Sequence, residues 1–291
     1  MTNWKLYVRM MRLNQQLLNL PLFFGILDSN NSLFNPQIVF FVIGFLLSSI
    51  FGFFINDYVD SKDTDRYSPD FRATNQSKPD RQIVLNIAAS LVLLALIFYT
   101  LSGIKMLLLG IIALFLMYIY SAPPLRLKKV KYLDFLDQLF AWLVIPYCAP
   151  FILTNYKPFD YSSFVFLTLF LTSAAAIAPI LDISADKKVQ IFNTTVSWGY
   201  HKSLRFAFWT MFLALLVGLY LIARNFYFWY WLMIPPGIIA MGVLGYGLGN
   251  VDRPHKIEEI FLRAKKWAKV CGWGMFIFLV ALFLFYQKMY Y

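Results

Sequence analysis

The sequence predicts an all-α polytopic membrane protein of about nine transmembrane helices around a central cavity, with its N-terminus cytoplasmic. Three observations predict the helical membrane architecture. Sixty per cent of the 291 residues are hydrophobic and only 14% are charged, too little polar surface for a water-soluble domain. The apolar residues come in runs close to 20 long, as at 38–55 and 207–223, which matches a hydrocarbon core of about 30 Å. The basic residues, finally, sort onto one side of those runs.

Taken in order, the runs predict helices at 13–27, 37–56, 82–100, 103–121, 135–153, 162–181, 206–223, 228–248 and 269–287. The first follows Lys5, Arg9 and Arg12 and ends in GILDSNN. That is a poor small-residue cleavage site, so the run is read as an uncleaved helix and not as a signal peptide. A tight turn at Ser102–Gly103 separates the third helix from the fourth. With this count, 22 Lys and Arg lie on one side, in the N-terminus and at 57–81, 122–134, 182–205 and 250–269. The other side carries 4: Lys105, Lys157, Arg224 and Lys288. Such a split places the N-terminus and the long loops in the cytoplasm. The cluster YFWYW at 227–231 fits an interfacial aromatic belt on the outer side.

These features predict one domain over 1–291, integral to the cell inner or plasma membrane. Cytoplasmic cap segments are expected at about 57–81, 122–134 and 182–205. The net charge of +11 follows from basic cytoplasmic loops facing anionic lipid. No nucleic-acid signature is present, and no nucleic-acid partner is expected. Cys148 and Cys271 sit in separate apolar segments and read as small core residues. His201 and His255 lack metal-ligand spacing.

The acids are as uneven as the bases. Of 15, six fall in two short clusters: Asp57, Asp60, Asp63 and Asp65, then Asp182 and Asp186. Each cluster follows the end of a span. Four helices separate them, so an even number of crossings returns the chain to the same side. Asp57 and Asp60 are i and i+3, and Asp182 and Asp186 are i and i+4, so each pair shares a helix face. Two such pairs facing each other form an oxygen-rich cage that suits Mg²⁺. Without a cation, carboxylates this close repel. Basic residues accompany them: Lys62, Arg66 and Arg72 after the first cluster, Lys187 and Lys188 after the second, and Arg126 and Lys128 in YSAPPLRLKK (120–129). Carboxylates for a metal beside cations for anionic oxygens are the equipment of a diphosphate site.

These stretches resemble the motifs of the UbiA-type intramembrane prenyltransferases. NDYVD (56–60) resembles their first motif, LDISADKK (181–188) their second, and YSAPPLRLK (120–128) the segment after their fourth helix. NTTVSWG (193–199) resembles the Thr and Gly that follow the second motif. The resemblance covers about residues 8–220. It implies nine helices around a central cavity, capped over a Mg²⁺-diphosphate site. The implied reaction moves a prenyl group from a prenyl diphosphate donor to a lipophilic acceptor, surrounded by membrane lipid.

Carried onto this chain, the resemblance implies metal binding by Asp57, Asp60, Asp63 or Asp65, Asp182 and Asp186. It implies diphosphate contacts from Asn56, Arg12, Arg72, Tyr120, Arg126, Lys128 and Lys187, with Tyr120 the first aromatic face for an allylic cation. The sequence departs from the pattern at Thr64, where the family's last first-motif aspartate should fall. On an ideal helix Asp65 lies about 80° from Asp57 and Asp63 about 60° from Asp60. Asp65 is favoured, because Asp65-Arg66 resembles the family's usual continuation.

The acceptor stays open between a carotenoid, a quinone precursor and others. YSAPPLRLK followed by LDFLDQL resembles the lycopene-elongase branch most. A terpene cyclase using the same site without an acceptor is an alternative. So is a phosphoribosyl transferase to a polyprenyl phosphate, which MRLNQQLLNL (11–20) faintly resembles. A transporter ranks last, since its ion path needs acids within the spans.

Overall fold

The computed structural model describes residues 4–13, 19–29, 35–62, 79–154, 161–224, 228–264 and 266. Among these the secondary structure is helical, apart from one isolated parallel bridge between Val130 and Phe192. Six stretches are long and apolar enough to cross a membrane: Pro36–Asp60, Arg81–Ser102, Ile104–Ser121, Leu133–Leu153, Tyr161–Lys188 and Thr194–Ala223. Ile234–Leu248 is apolar but shorter. The chain is therefore an all-α polytopic membrane protein. The count of nine is not reached among the described residues. The expected span 269–287 lies outside them, and so do residues 14–18 of the first.

The helices fall into two compact units, Met1–Phe159 with Asp182–Ser197, and Asp160–Leu181 with Trp198–Tyr291. The first begins with a short helix α1 (Trp4–Met10) and α2 (Leu20–Asp28). Its axis is α3 (Pro36–Asp60), 25 residues long and so about 37 Å from end to end. Pro36 opens α3 where a missing N–H costs nothing, and the Asn35 side chain accepts from Gln37 N. Asp80 caps α4 (Arg81–Ser102) by accepting from Ile83 N at 3.0 Å. The expected turn falls at Gly103, whose φ of 116° is open only to glycine at low cost. It reverses the chain into α5 (Ile104–Ser121).

Helix α3 packs against α1, α4 and α5. Leu93, Leu101, Ile104, Leu108 and Phe115 on α4 and α5 stay exposed, as side chains facing lipid do. After the cis Pro123–Pro124 bond, a 3₁₀ turn (Leu127–Lys129) leads to α6 (Leu133–Leu139). Five residues of π-helix (Phe140–Val144) join α6 to α7 (Ile145–Thr154). The expected fifth helix is thus three pieces, hidden from the sequence by one continuous apolar run.

In the second unit α8 (Tyr161–Ile177) runs into a 3₁₀ turn (Ala178–Asp182), at whose end the chain returns to the first unit. There α9 (Ile183–Lys188) and the first turn of α10 (Thr194–Ala223) follow. The segment 182–205, expected as a cap segment, is largely helical. Helix α10 starts well before the expected residue 206 and kinks at Gly199, where φ is 69°. The second unit also contains α11 (Ile234–Leu248) and helical turns at 254–264. The aromatic cluster divides. Trp231 is exposed, but Tyr230 is fully buried with its ring edge-on to Phe166 at 5.0 Å. Tyr230 is a core residue and not part of an interfacial belt.

Candidate active site

The last turn of α3 delivers Asn56, Asp57 and Asp60 to one place. Both aspartates are 3% exposed, and buried carboxylates need partners. Arg12, in the turn after α1, supplies one set. Its Nε donates to Asp57 Oδ2 at 3.0 Å and its Nη2 to Asp57 Oδ1, a two-pronged pair. The same guanidinium lies 5.6 Å from the Phe53 ring centroid. Asp60 receives two cations from the segment after α5. Arg126 Nη2 donates to its Oδ1 at 3.2 Å, and Lys128 Nζ donates to the same oxygen. Asn56 Oδ1 accepts from Ser121 Oγ at 2.8 Å and from Lys128 Nζ at 3.2 Å. Sequence spacing alone gave no pairing. The structure assigns Arg12 to Asp57, and Arg126 and Lys128 to Asp60.

The second aspartate pair reaches this set electrostatically. Asp186 is buried and interacts with the charges of Asp182, Lys128 and Asp60. Its Oδ2 accepts from Asn193 Nδ2 at 2.9 Å. Asp182 is half-buried at the junction of the 3₁₀ turn and α9. Tyr120 is half-buried. Its hydroxyl accepts from Gln138 Nε2 at 2.8 Å and feels the charges of Asp134, Asp137 and Asp60. Lys187 is exposed and makes no side-chain hydrogen bond or ion pair among the described residues. Asp63, Asp65 and Arg72 lie outside the described residues.

Two acids were missed. Asp134 and Asp137 on α6 are 3% and 5% exposed. They carry the same i, i+3 spacing that singled out Asp57 and Asp60, and that signal was present in LDFLDQL. Asp134 accepts from Thr194 Oγ1 at 2.5 Å and from Thr194 N at 3.1 Å. Asp137 Oδ1 has no hydrogen-bond partner among the described residues, an arrangement that opposes folding by about 1–3 kcal/mol.

Backbone strain marks the same region. Among the described residues, four non-glycines have positive φ: Arg12 (45°), Arg126 (43°), Tyr132 (71°) and Gln190 (56°). Arg12 and Arg126 bear ion pairs of the site. Tyr132 and Gln190 flank the segments that carry Lys128 and Asp186. Each costs on the order of 1 kcal/mol or more and persists only where its surroundings impose it. Gln190 is exposed, so Gln190→Gly should stabilise the fold by about 1 kcal/mol, read as a raised thermal midpoint. An unchanged midpoint removes the strain argument there.

Among the described residues no three carboxylate, imidazole or thiol side chains are grouped as a metal site. Asp57 and Asp60 are each engaged by cationic side chains. Asp57, Asp60 and Asn56 nonetheless bring carboxylate and amide oxygens to this convergence, the kind of atom a hard divalent cation takes.

Apolar spanning helices whose ends bury carboxylates beside cations define a helical membrane enzyme built to handle an anionic group. The chain belongs to the UbiA prenyltransferase family, whose model matches residues 18–270. It is by that membership a membrane prenyltransferase. Among solved structures it is similar to a UbiA homolog from Archaeoglobus fulgidus bound to GPP and Mg²⁺, with TM-score 0.69, 19% identity and coverage of 93% of this chain and 99% of that one. A UbiA homolog from Aeropyrum pernix K1 aligns with TM-score 0.65 and 13% identity over 89% and 97% of the two chains. A digeranylgeranylglyceryl phosphate synthase aligns with TM-score 0.61 and 18% identity over 98% of each. No curated protein matches the chain. At these identities the likeness carries the fold.

Proposed function

We propose that this chain transfers a prenyl group from a prenyl diphosphate to a lipophilic acceptor inside the membrane, with Mg²⁺ as cofactor. The observation that carries the reading is the buried convergence of Asp57 and Asp60 with Arg12, Arg126 and Lys128, in a chain of this family. The similar Archaeoglobus fulgidus protein, bound to GPP and Mg²⁺, supports the choice of donor and metal.

The residues fit a metal–diphosphate pair. Asp57, Asp60, Asp182 and Asp186, with Asp65 or Asp63, would hold Mg²⁺. Arg12, Arg126 and Lys128, helped by Asn56, Lys187 and Arg72, would hold phosphate oxygens. With both bound, Asp57 would exchange Arg12, and Asp60 would exchange Arg126 and Lys128, for the metal, while those bases would hold the diphosphate. These buried charges would thereby keep opposite partners, which avoids the large cost of leaving one alone. Mg²⁺ supplies neutralisation of the charge that develops on the diphosphate as the carbon–oxygen bond opens. Tyr120, its hydroxyl held by Gln138, offers an aromatic face to the allylic cation. The surrounding apolar helices exclude water, which would otherwise trap that cation.

The same reading takes nine spans around a central cavity and one prenyltransferase domain over 1–291, with the family match over 18–270 in support. It places the N-terminus and the acid-bearing segments at the cytoplasmic face of the cell inner or plasma membrane, as the 22-to-4 split of basic residues supports. The resemblance of YSAPPLRLK and LDFLDQL to the lycopene-elongase branch supports a carotenoid acceptor, with a quinone precursor or another lipophile as the alternative.

The test uses purified protein, Mg²⁺ and radiolabelled prenyl diphosphates, with and without acceptors, the products resolved by mass. Transfer should depend on an acceptor, cease with EDTA and return with Mg²⁺. A cyclic hydrocarbon formed without acceptor favours a cyclase instead. Intact prenyl diphosphate with phosphoribosyl diphosphate consumed overturns the reading.

A further inference from the structure

Asp186 is held from outside its own helix. Helix α9 is only six residues long, too short to persist alone. Asp186 lies buried beside the like charges of Asp182 and Asp60 and the opposite charge of Lys128, so its position needs a directional contact. The Asn193 bond supplies it. Asn193 is in turn fixed by Val196 N, which donates to its Oδ1 at 2.8 Å at the start of α10. The next residue anchors the assembly. Thr194 Oγ1 and N both donate to Asp134, and Tyr132 N donates to Thr194 Oγ1 at 2.6 Å. The Val130–Phe192 bridge lies alongside. Asp134, Asn193 and Thr194 are all buried, so water does not compete for these bonds. The clipped partner segment, 130–134, begins two residues after Lys128.

We propose that Asp134 and Thr194 form a clip that positions Asp186 against the half of the site built by Asp60, Arg126 and Lys128. The two clip residues touch neither metal nor diphosphate and act through Asn193 and the 126–132 segment. They are positioning residues. The inference rests on the metal–diphosphate reading above and adds to it what sets the spacing of the two halves. The acids of the second half belong to a segment more than 120 residues away from the first. Lys128 attracts Asp186 and Asp60 repels it, and the clip fixes the distance at which these opposed charges act.

Thr194→Val removes the hydroxyl at nearly constant volume, and Thr194→Ser keeps it. The probe is Mn²⁺, whose binding to the purified full-length protein is read by electron paramagnetic resonance. Loss of a group that orients a metal ligand weakens affinity by about 10–100-fold. Thr194→Val should show that shift, with a raised donor KM. Thr194→Ser should restore both to within about twofold of the wild type. Amide hydrogen exchange should rise together in 127–134 and 189–197. In an Asp186→Asn background, Thr194→Val should add little. Should Thr194→Val fail to fold, Asp134→Asn, which keeps shape and one acceptor oxygen, should give the same shift. Normal Mn²⁺ affinity in a folded clip variant overturns the clip alone, as does loosening confined to 189–197. Wild-type protein that binds no Mn²⁺ overturns the metal reading and the clip's role with it.

Discussion

Asp60→Asn should reduce turnover by about 10³-fold or more. Asp60 is the residue on which both cations of the 126–128 segment converge, and its charge also acts on Asp186. Asparagine keeps the shape and one oxygen but loses the negative charge. Two consequences separate cleanly. In the unliganded protein Arg126 and Lys128 are left buried beside each other with their shared counter-charge gone, which costs about 3–5 kcal/mol and lowers the thermal midpoint. In the proposed reaction the metal would lose a ligand, and the loss would fall on the opening of the carbon–oxygen bond. Single-turnover release of labelled diphosphate measures the second effect apart from binding. Lys128→Met, by contrast, leaves Asp60 with Arg126 and should fold normally while raising the donor KM. A folded Asp60→Asn protein that keeps most of its single-turnover rate removes Asp60 from the chemistry and leaves only its structural pairing.

The acidic half of this site was legible because carboxylate spacing is a local signal. Asp57 and Asp60 three apart, and Asp182 and Asp186 four apart, lie on helical turns as their spacing requires. Membrane class was legible because hydropathy runs and basic-residue counts need no tertiary information. The pairing of charges was not. Arg12 meets Asp57 from 45 positions away and Lys128 meets Asp60 from 68. Nothing in the spacing distinguishes these cations from the many other basic residues on the same side. The pairing of Thr194 with Asp134, 60 positions apart, was hidden for the same reason. Helix α10 was started too late because Ser197, His201, Lys202 and Arg205 conceal its first turns from a hydropathy reading. A helix held by backbone bonds and the Asn193 cap needs no apolar run there. Tyr230 was misplaced because an aromatic ring suits a lipid interface and a packed core equally, and only its contact with Phe166 decides.

Gly25→Ala should destabilise the protein by about 3 kcal/mol. Helices α2 and α7 meet at this glycine with their backbones almost touching. A methyl group at Gly25 would overlap Tyr147 O and lie 2.9 Å from Tyr147 Cα. Those are main-chain atoms of a buried helix and cannot rotate aside, so the helices must separate. Small residues commonly set such close approaches in membrane bundles. The separation carries a second cost. One turn further along α2, Asp28 is 2% exposed and accepts from the Tyr147 hydroxyl at 2.9 Å. Displacing α7 lengthens that buried bond, and a buried polar group left without its partner costs about 1–3 kcal/mol. Gly103→Ala provides the contrast. No atom lies within 4 Å of a methyl group there, so its cost is backbone strain at positive φ alone, about 1–2 kcal/mol. Phe replacing Tyr147 separates the two contributions to the Gly25 effect, because it removes the hydrogen bond and leaves the helix contact intact. If the thermal midpoint of Gly25→Ala falls no further than that of Tyr147→Phe, the close backbone approach contributes nothing and the hydrogen bond alone holds α2 to α7.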